Sequence, residues 1–149
     1  AHGAFFGSTG HSQGAGTSAQ EDRKPQGDIV NQEAAPLLFT PHLVPIKQGM
    51  AATITVPANE STADEAISLL HRRYQNEPFV EVIEERIPET IEVRGTNRAI
   101  ISYRKEEGFL MLFSVIDNLW KGASGQAVQN FNVRFGFDEI TGLRLDAEV

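Results

Sequence analysis

The chain has 149 residues, 40% of them hydrophobic and 22% charged, an ordinary globular composition at a length that suits one domain. It has no cysteine, which excludes a disulfide framework, a thiolate metal site and a thiol nucleophile. A net charge of -7 disfavours nonspecific nucleic-acid binding, which needs a basic surface, but leaves room for a small anionic substrate in a locally basic pocket. No apolar run approaches the roughly 20 residues of a membrane span, and no basic-then-apolar leader is visible, so the expected setting is reducing and cytoplasmic.

In chain order, residues 1–36 are rich in Gly, Ser and Gln with almost no apolar periodicity, and read as a flexible or loop segment. The compact domain is expected over residues 37–149. Leu37–Thr40 is a short apolar run stopped by Pro41 and reads as a buried strand, with His42 in the loop after it. Met50–Val56 alternates, with Ala52, Ile54 and Val56 on one side, the period-two pattern of a strand. At Thr62–Tyr74 the period becomes helical: Ile67, Leu70 and Tyr74 share a face, and Thr62-Ala-Asp-Glu65 fits a capping box. Phe79–Glu84, Arg98–Arg104 and Phe109–Ile116 read as strands, with a hairpin at Glu106-Glu107-Gly108. Ser124–Phe135 reads as a second helix, whose Ala127, Val128, Phe131 and Phe135 are expected to pack on the sheet. This order predicts an α+β fold, a largely antiparallel mixed sheet covered by helices.

Few motifs carry chemistry. Gly14-Ala-Gly-Thr-Ser-Ala19 matches a dinucleotide fingerprint, but no strand precedes it and Pro25 cuts off any following helix, so it reads as loop. His2, His11, His42 and His71 lack ligand spacing, and no metal site is expected. His71, beside Arg72 and Arg73, reads as solvated, and His42 as a loop residue held by the backbone. Asn59-Glu-Ser61 reads as a turn leading into the first helix rather than a glycan acceptor. Gly122-Ala-Ser-Gly-Gln-Ala127 is the most informative stretch. Glycines cost up to ~1 kcal/mol each within a helix, so close approach of another backbone or a flat ligand to Gly122 and Gly125 is expected, at a helix start offering free N–H groups.

These residues also carry a resemblance. Asp117-Asn-Leu-Trp-Lys-Gly-Ala-Ser-Gly-Gln-Ala-Val-Gln-Asn130, continuing through Phe135-Gly-Phe-Asp-Glu139 to Gly142-Leu143, resembles the C-terminal signature of the N-acetyl-γ-glutamyl-phosphate reductase family. Phe39-Thr-Pro-His-Leu-Val-Pro45 with Gly49, and Val93-Arg-Gly-Thr-Asn97, resemble two further segments of that family in the same order. The resemblance implies the second domain of the semialdehyde dehydrogenase-like reductases. It implies an enzyme that reduces an acyl phosphate to a semialdehyde with NADPH in arginine biosynthesis, through a cysteine nucleophile and a cofactor that carries the hydride. The partners implied are a second copy of the chain, a Rossmann cofactor domain and a small anionic acyl phosphate. Asn118 and Gly122 match positions near the nicotinamide, and are carried over as cofactor contacts.

No catalytic residue is carried over. The cysteine-bearing Rossmann domain has no counterpart, and Asn31-Gln-Glu33 lies where the family's histidine is expected. The chain alone is therefore expected to be inactive and to bind no NADP(H) alone. Without a cofactor domain, Gly122, Ser124 and Gly125 would form a vacated contact surface, and Gly125→Ala would stabilise the isolated domain. Two other readings fit the sequence: a noncatalytic oligomerisation module that kept the fold, and a small-ligand module using the helix start at Gly122.

Overall fold

The computed structural model describes residues 37–84 and 86–147. The readings placed on residues 1–36, including Gly14–Ala19, His2, His11 and Asn31-Gln-Glu33, lie outside the described residues. Two units divide between Pro41 and His42. In the first, residues 37–41 form no strand, and Leu37, Leu38 and Phe39 are exposed, contrary to the buried strand expected there. A four-residue apolar run closed by proline has no periodicity of its own, and hydrophobicity alone was a poor guide to it.

The second unit is a four-stranded mixed sheet with two helices. Strands β1 (Met50–Pro57), β2 (Val80–Ile83), β3 (Ala99–Glu106) and β4 (Phe109–Ile116) lie in the order β1-β4-β3-β2. β1 and β3 run antiparallel to β4, whereas β2 runs parallel to β3. The hairpin between β3 and β4 turns at Glu107-Gly108, where Gly108 takes a φ of 79° that a side chain would strain.

Helix α1 (Glu60–Tyr74) starts one turn-fraction earlier than the expected capping box. Asn59 is the cap: its Oδ1 accepts the Thr62 N–H at 2.9 Å, and the Thr62 hydroxyl donates back to the Asn59 carbonyl at 3.1 Å. Asparagine outcompetes threonine here because its carboxamide reaches the free N–H groups of the first turn. α1 packs on β2 and β3, with Ala63 buried and Ile67, Leu70 and Tyr74 half-buried. Asp64 pairs with Lys105 at 2.8 Å.

Cross-strand partners share a face of the sheet, so the register defines two sides. On one, Ile100 and Val115 form the core with Val93, which a 3-10 turn at Thr90–Val93 folds over them, and Ile83 packs alongside. On the other, α1 covers the β2–β3 half. The β1–β4 half of that side presents Met50, Ile54 and Val56, each more than 40% exposed, beside the half-buried Leu112 and Ile116.

Helix α2 (Gly125–Phe135) grows directly out of a π-helical turn at Trp120–Ser124 and ends at Gly136. The face expected to pack on the sheet points away: Ala127, Val128, Phe131 and Phe135 are all exposed. The buried face is Gly125 and Asn132, with Gln129 half-buried between them. Polar contacts hold it. Asn97 Nδ2 and Lys121 Nζ both donate to Gln129 Oε1, at 2.8 and 2.7 Å. Gln129 Nε2 donates to Glu139 at 2.6 Å, and Asn132 Nδ2 to the carbonyls of Glu139 and Thr141 at 3.1 and 2.9 Å.

Candidate functional site

Gly49 and Gly95, each from a segment that carries the family resemblance, meet at two consecutive side chains of the third, past the end of β4. Asp117 is fully buried. Its Oδ2 accepts the Gly95 N–H at 2.7 Å and the Gln48 carboxamide N–H. Its Oδ1 accepts the N–H groups of Leu119 at 2.8 Å and Trp120 at 3.1 Å. All four donors are neutral, and a buried carboxylate needs such a full set because unpaired burial is costly. Next to it, Asn118 Oδ1 accepts the Gly49 N–H at 2.7 Å. Gly49 has a φ of 121° and lies against Thr90, a position where a side chain would both strain the backbone and collide.

Asp117 also explains the turn that follows. Its carbonyl accepts the Gly122 N–H at 2.9 Å, the Leu119 carbonyl accepts Ser124 N–H at 3.1 Å, and the Trp120 carbonyl accepts Gly125 N–H. These bonds span five residues, the π-helical pattern that recurs at functional sites. The N–H groups of Leu119, Trp120, Gly122, Ser124 and Gly125 at the helix start are therefore taken, and a buried carboxylate already sits at the positive end of the helix. Small-anion capture by a bare helix N-terminus at Gly122 does not fit this arrangement.

The two glycines of this stretch have different reasons. Gly125 is buried, and a methyl group there would overlap Asn97 Oδ1 and stand 3.0 Å from the Trp120 carbonyl carbon and oxygen. It is required inside this unit and is not part of a vacated surface. Gly122 is exposed, and a methyl group there would meet nothing closer than 3.5 Å. Nothing within the described residues demands a glycine there. Asn118, the other expected cofactor contact, has its side-chain oxygen engaged by Gly49, so only its remaining edge faces outward chemistry.

The 93–97 loop adds a cation that the sequence reading left without a role. The Arg94 Nε is buried with no hydrogen-bond partner among the described residues. Its neighbour Gly95 is one of the donors to Asp117. Lys121, by contrast, is spent internally: it donates to Gln129 and lies 5.5 Å from the centroid of the Phe79 ring. Burial pushes its ammonium below the ordinary lysine value, opposed by the Glu139 and Glu77 carboxylates.

The histidines do not join this site. His42 is exposed. His71 is half-buried rather than solvated, with Nε2 at 3.1 Å from the Tyr103 hydroxyl and 3.2 Å from Glu84 Oε1. It fastens α1 to β3 and the end of β2. Burial, helped by the Glu84 carboxylate, pushes the Tyr103 phenol up to about 12. No group of three or more His, Cys, Asp or Glu that could hold a metal occurs among the described residues. Nor, among them, is any helix long and apolar enough to cross a membrane.

This arrangement defines an α+β domain whose four-stranded mixed sheet keeps exposed apolar side chains on its β1–β4 half. The family described as "Semialdehyde dehydrogenase, dimerisation domain" matches residues 26–118, and the chain belongs to it. The relatives narrow it further. The chain is 46% identical over 114 residues to the N-acetyl-gamma-glutamyl-phosphate reductase of Cellvibrio japonicus (strain Ueda107), covering 74% of this chain and 33% of that protein. It is 46% identical over 112 residues to the same-named protein of Methanocaldococcus jannaschii, covering 73% of this chain and 33% of that one. It is 47% identical over 111 residues to that of Acinetobacter baumannii (strain AYE), with coverages of 72% and 32%. The chain thus spans about a third of the length of these curated relatives. A solved aspartate semialdehyde dehydrogenase II from Vibrio cholerae aligns with a TM-score of 0.46 at 23% identity, over 63% of this chain and 30% of that one.

Proposed function

We propose that this chain is the dimerisation and substrate-facing domain of an NADPH-dependent N-acetyl-γ-glutamyl-phosphate reductase. The observation that carries the reading is the junction at Asp117 and Asn118, which gathers the Gln48–Gly49 segment, the Arg94–Gly95 loop and the Gly122 turn. The surfaces around it have matching uses. Gly122 is open and free of internal constraint, which suits close approach of a flat ring, and Asn118 adjoins it. NADPH, when bound there, supplies the hydride. The Arg94 guanidinium, whose Nε has no hydrogen-bond partner among the described residues, supplies the positive charge that an acyl phosphate or its carboxylate needs on an otherwise acidic chain.

The remaining surfaces serve assembly. The open β1–β4 half, with Met50, Ile54 and Val56, suits a second copy, since a stable pair buries about 800 Å² on each partner. On α2, Phe131 lies 4.5 Å from Phe135 and 5.9 Å from Phe137 between ring centroids, and all three are exposed. An aromatic cluster of this kind, on a helix whose buried face among the described residues is the polar one, suits a cofactor domain packed over it.

The division of chemistry follows. The chain has no cysteine, so the thiol that attacks the acyl phosphate has to come from another domain. The test has two arms. NADPH oxidation by the acyl phosphate is expected from this chain combined with a cofactor domain of the family, and none from the chain alone. Sedimentation equilibrium at micromolar concentration is expected to show a dimer. Turnover by the chain alone, or a monomer throughout, would contradict the respective half of the reading.

A further inference from the structure

We infer that Asp117 is a positioning residue that couples binding on the two sides of the proposed site, with Gln48 as its adjustable partner. The inference rests on the reading above. A carboxylate is a rigid planar group, and this one is divided. Oδ2 holds the loop that carries Arg94, through Gly95, and the segment leading into β1, through Gln48. Oδ1 holds the first residues of the turn that carries Gly122, through Leu119 and Trp120. Any shift of Gly95 when Arg94 engages an anion tilts Oδ2, and the same plane carries Oδ1 with it. Asp117 itself cannot yield much, because Ile116 before it is paired with both Met50 and Ala99. The link is a contiguous set of hydrogen bonds in a buried setting, the kind of network through which two sites exchange binding energy.

Gln48 tunes the link. It is the only side-chain donor of the four, it is half-buried, and it belongs to the segment whose next residue, Gly49, is tied to Asn118. Removing it leaves Oδ2 with the Gly95 N–H alone and lets the carboxylate rotate toward Leu119 and Trp120. Asparagine at position 117 is more disruptive. Its amide group would present N–H donors to one of the two pairs of N–H donors, so one side of the link is lost outright.

The experiment is a binding cycle in the reductase that carries this chain as its dimerisation domain. NADP+ affinity is measured with and without N-acetylglutamate, the unphosphorylated acid, as the probe for the Arg94 side. Wild type is expected to bind NADP+ about fivefold or more tightly when the acid is present, the lower end of ordinary coupling. Gln48→Met is expected to cut that factor at least in half, with kcat for the complete reaction falling more than KM rises and with the melting temperature nearly unchanged. Gln48→Lys, which restores a donor of similar reach, is expected to recover the factor. Asp117→Asn is expected to bring it to about one, and if that variant does not fold, the Gln48 pair decides the matter. A wild-type factor of one, or equal factors in wild type and Gln48→Met, overturns the inference. An enzyme that reduces the acyl phosphate yet shows either result leaves the proposed function standing, whereas an enzyme that neither binds NADP+ nor turns over removes both.

Discussion

Gly125 lies directly against the side chain of Asn97, close enough that a single methyl group would overlap the Asn97 Oδ1. Asn97 is fully buried and is itself fixed at two points, its N–H donating to the Arg144 carbonyl at 2.9 Å and its Nδ2 to Gln129 at 2.8 Å. The glycine therefore sets how near α2 comes to the 93–97 loop. Helix propensity and packing oppose one another at this position, and packing is the larger effect.

Gly125→Ala is accordingly expected to destabilise the chain by about 1–3 kcal/mol, the usual cost of overpacking, in spite of a propensity gain of up to ~1 kcal/mol. Urea denaturation measures it. Asn97→Ala removes the colliding oxygen, so the double variant is expected to lose less than the sum of the two single changes. Stabilisation by Gly125→Ala would mean that the loop moves aside at little cost.

That reversal marks the boundary of what the sequence discloses. Period-two alternation located β1, and the apolar face of α1 was legible at Ile67, Leu70 and Tyr74, because each of these elements rests on its own sheet or helix partner. The same periodicity was misleading in α2. Val128, Phe131 and Phe135 form a genuine apolar stripe, but within this unit the buried side is the amide row through Gln129 and Asn132. Periodicity shows that a face is apolar, not which body covers it. The junction at Asp117 was half legible. The stretch from Asp117 to Asn130 stood out as a motif, whereas Asp117 and Gln48 lie 69 residues apart, and no local pattern announces their bond. The one available signal was an Asp directly after a strand and before a turn, the usual setting for a side chain that caps its own backbone.

The start of α1 offers a clean discrimination between two caps. Asn59→Ala is expected to cost about 1 kcal/mol, since its side chain accepts the Thr62 N–H and no other side chain replaces it. Glu65→Ala is expected to stay within about 0.5 kcal/mol, as an exposed position outside the cap. Thermal unfolding of both variants checks this. The opposite ranking would restore the capping box at Thr62 and Glu65.

Tyr103 gives the chain an alkaline signature. Its pKa is about 12 in the fold against an ordinary 10.0, so the folded state holds the phenolic proton more tightly than the unfolded state does. The stabilisation is complete below pH 10 and is lost as the pH rises through about 12. Tyr103→Phe removes the titrating group and the contact with His71. The variant is expected to be about 1 kcal/mol less stable at neutral pH and to lose less stability than wild type between pH 10 and 12. Parallel curves for the two proteins over that range would refute the assignment.

The open half of the sheet makes the last prediction, and it separates assembly from folding. Ile54 pairs across the ladder with Leu112 and is 49% exposed, so its side chain lies in the middle of the β1–β4 face with little of its own unit over it. Replacing it with lysine sacrifices little internal burial, because the long stem still lies along the sheet while the ammonium reaches water. In a dimer built on this face the same ammonium is buried twice, once from each copy, with a like charge opposite and no carboxylate provided for it. Charges left unpaired at a buried interface cost several kcal/mol, which is enough to dissociate a micromolar dimer. Ile54→Lys is therefore expected to sediment as a monomer at concentrations where the unmodified chain is dimeric, with its unfolding transition altered only through the loss of that mass-action term. Varying protein concentration distinguishes the two effects: the melting temperature of the unmodified chain rises with concentration, and that of Ile54→Lys does not. A variant that remains dimeric would move the interface to another surface, with the aromatic face of α2 as the next to be tested by Phe131→Ser.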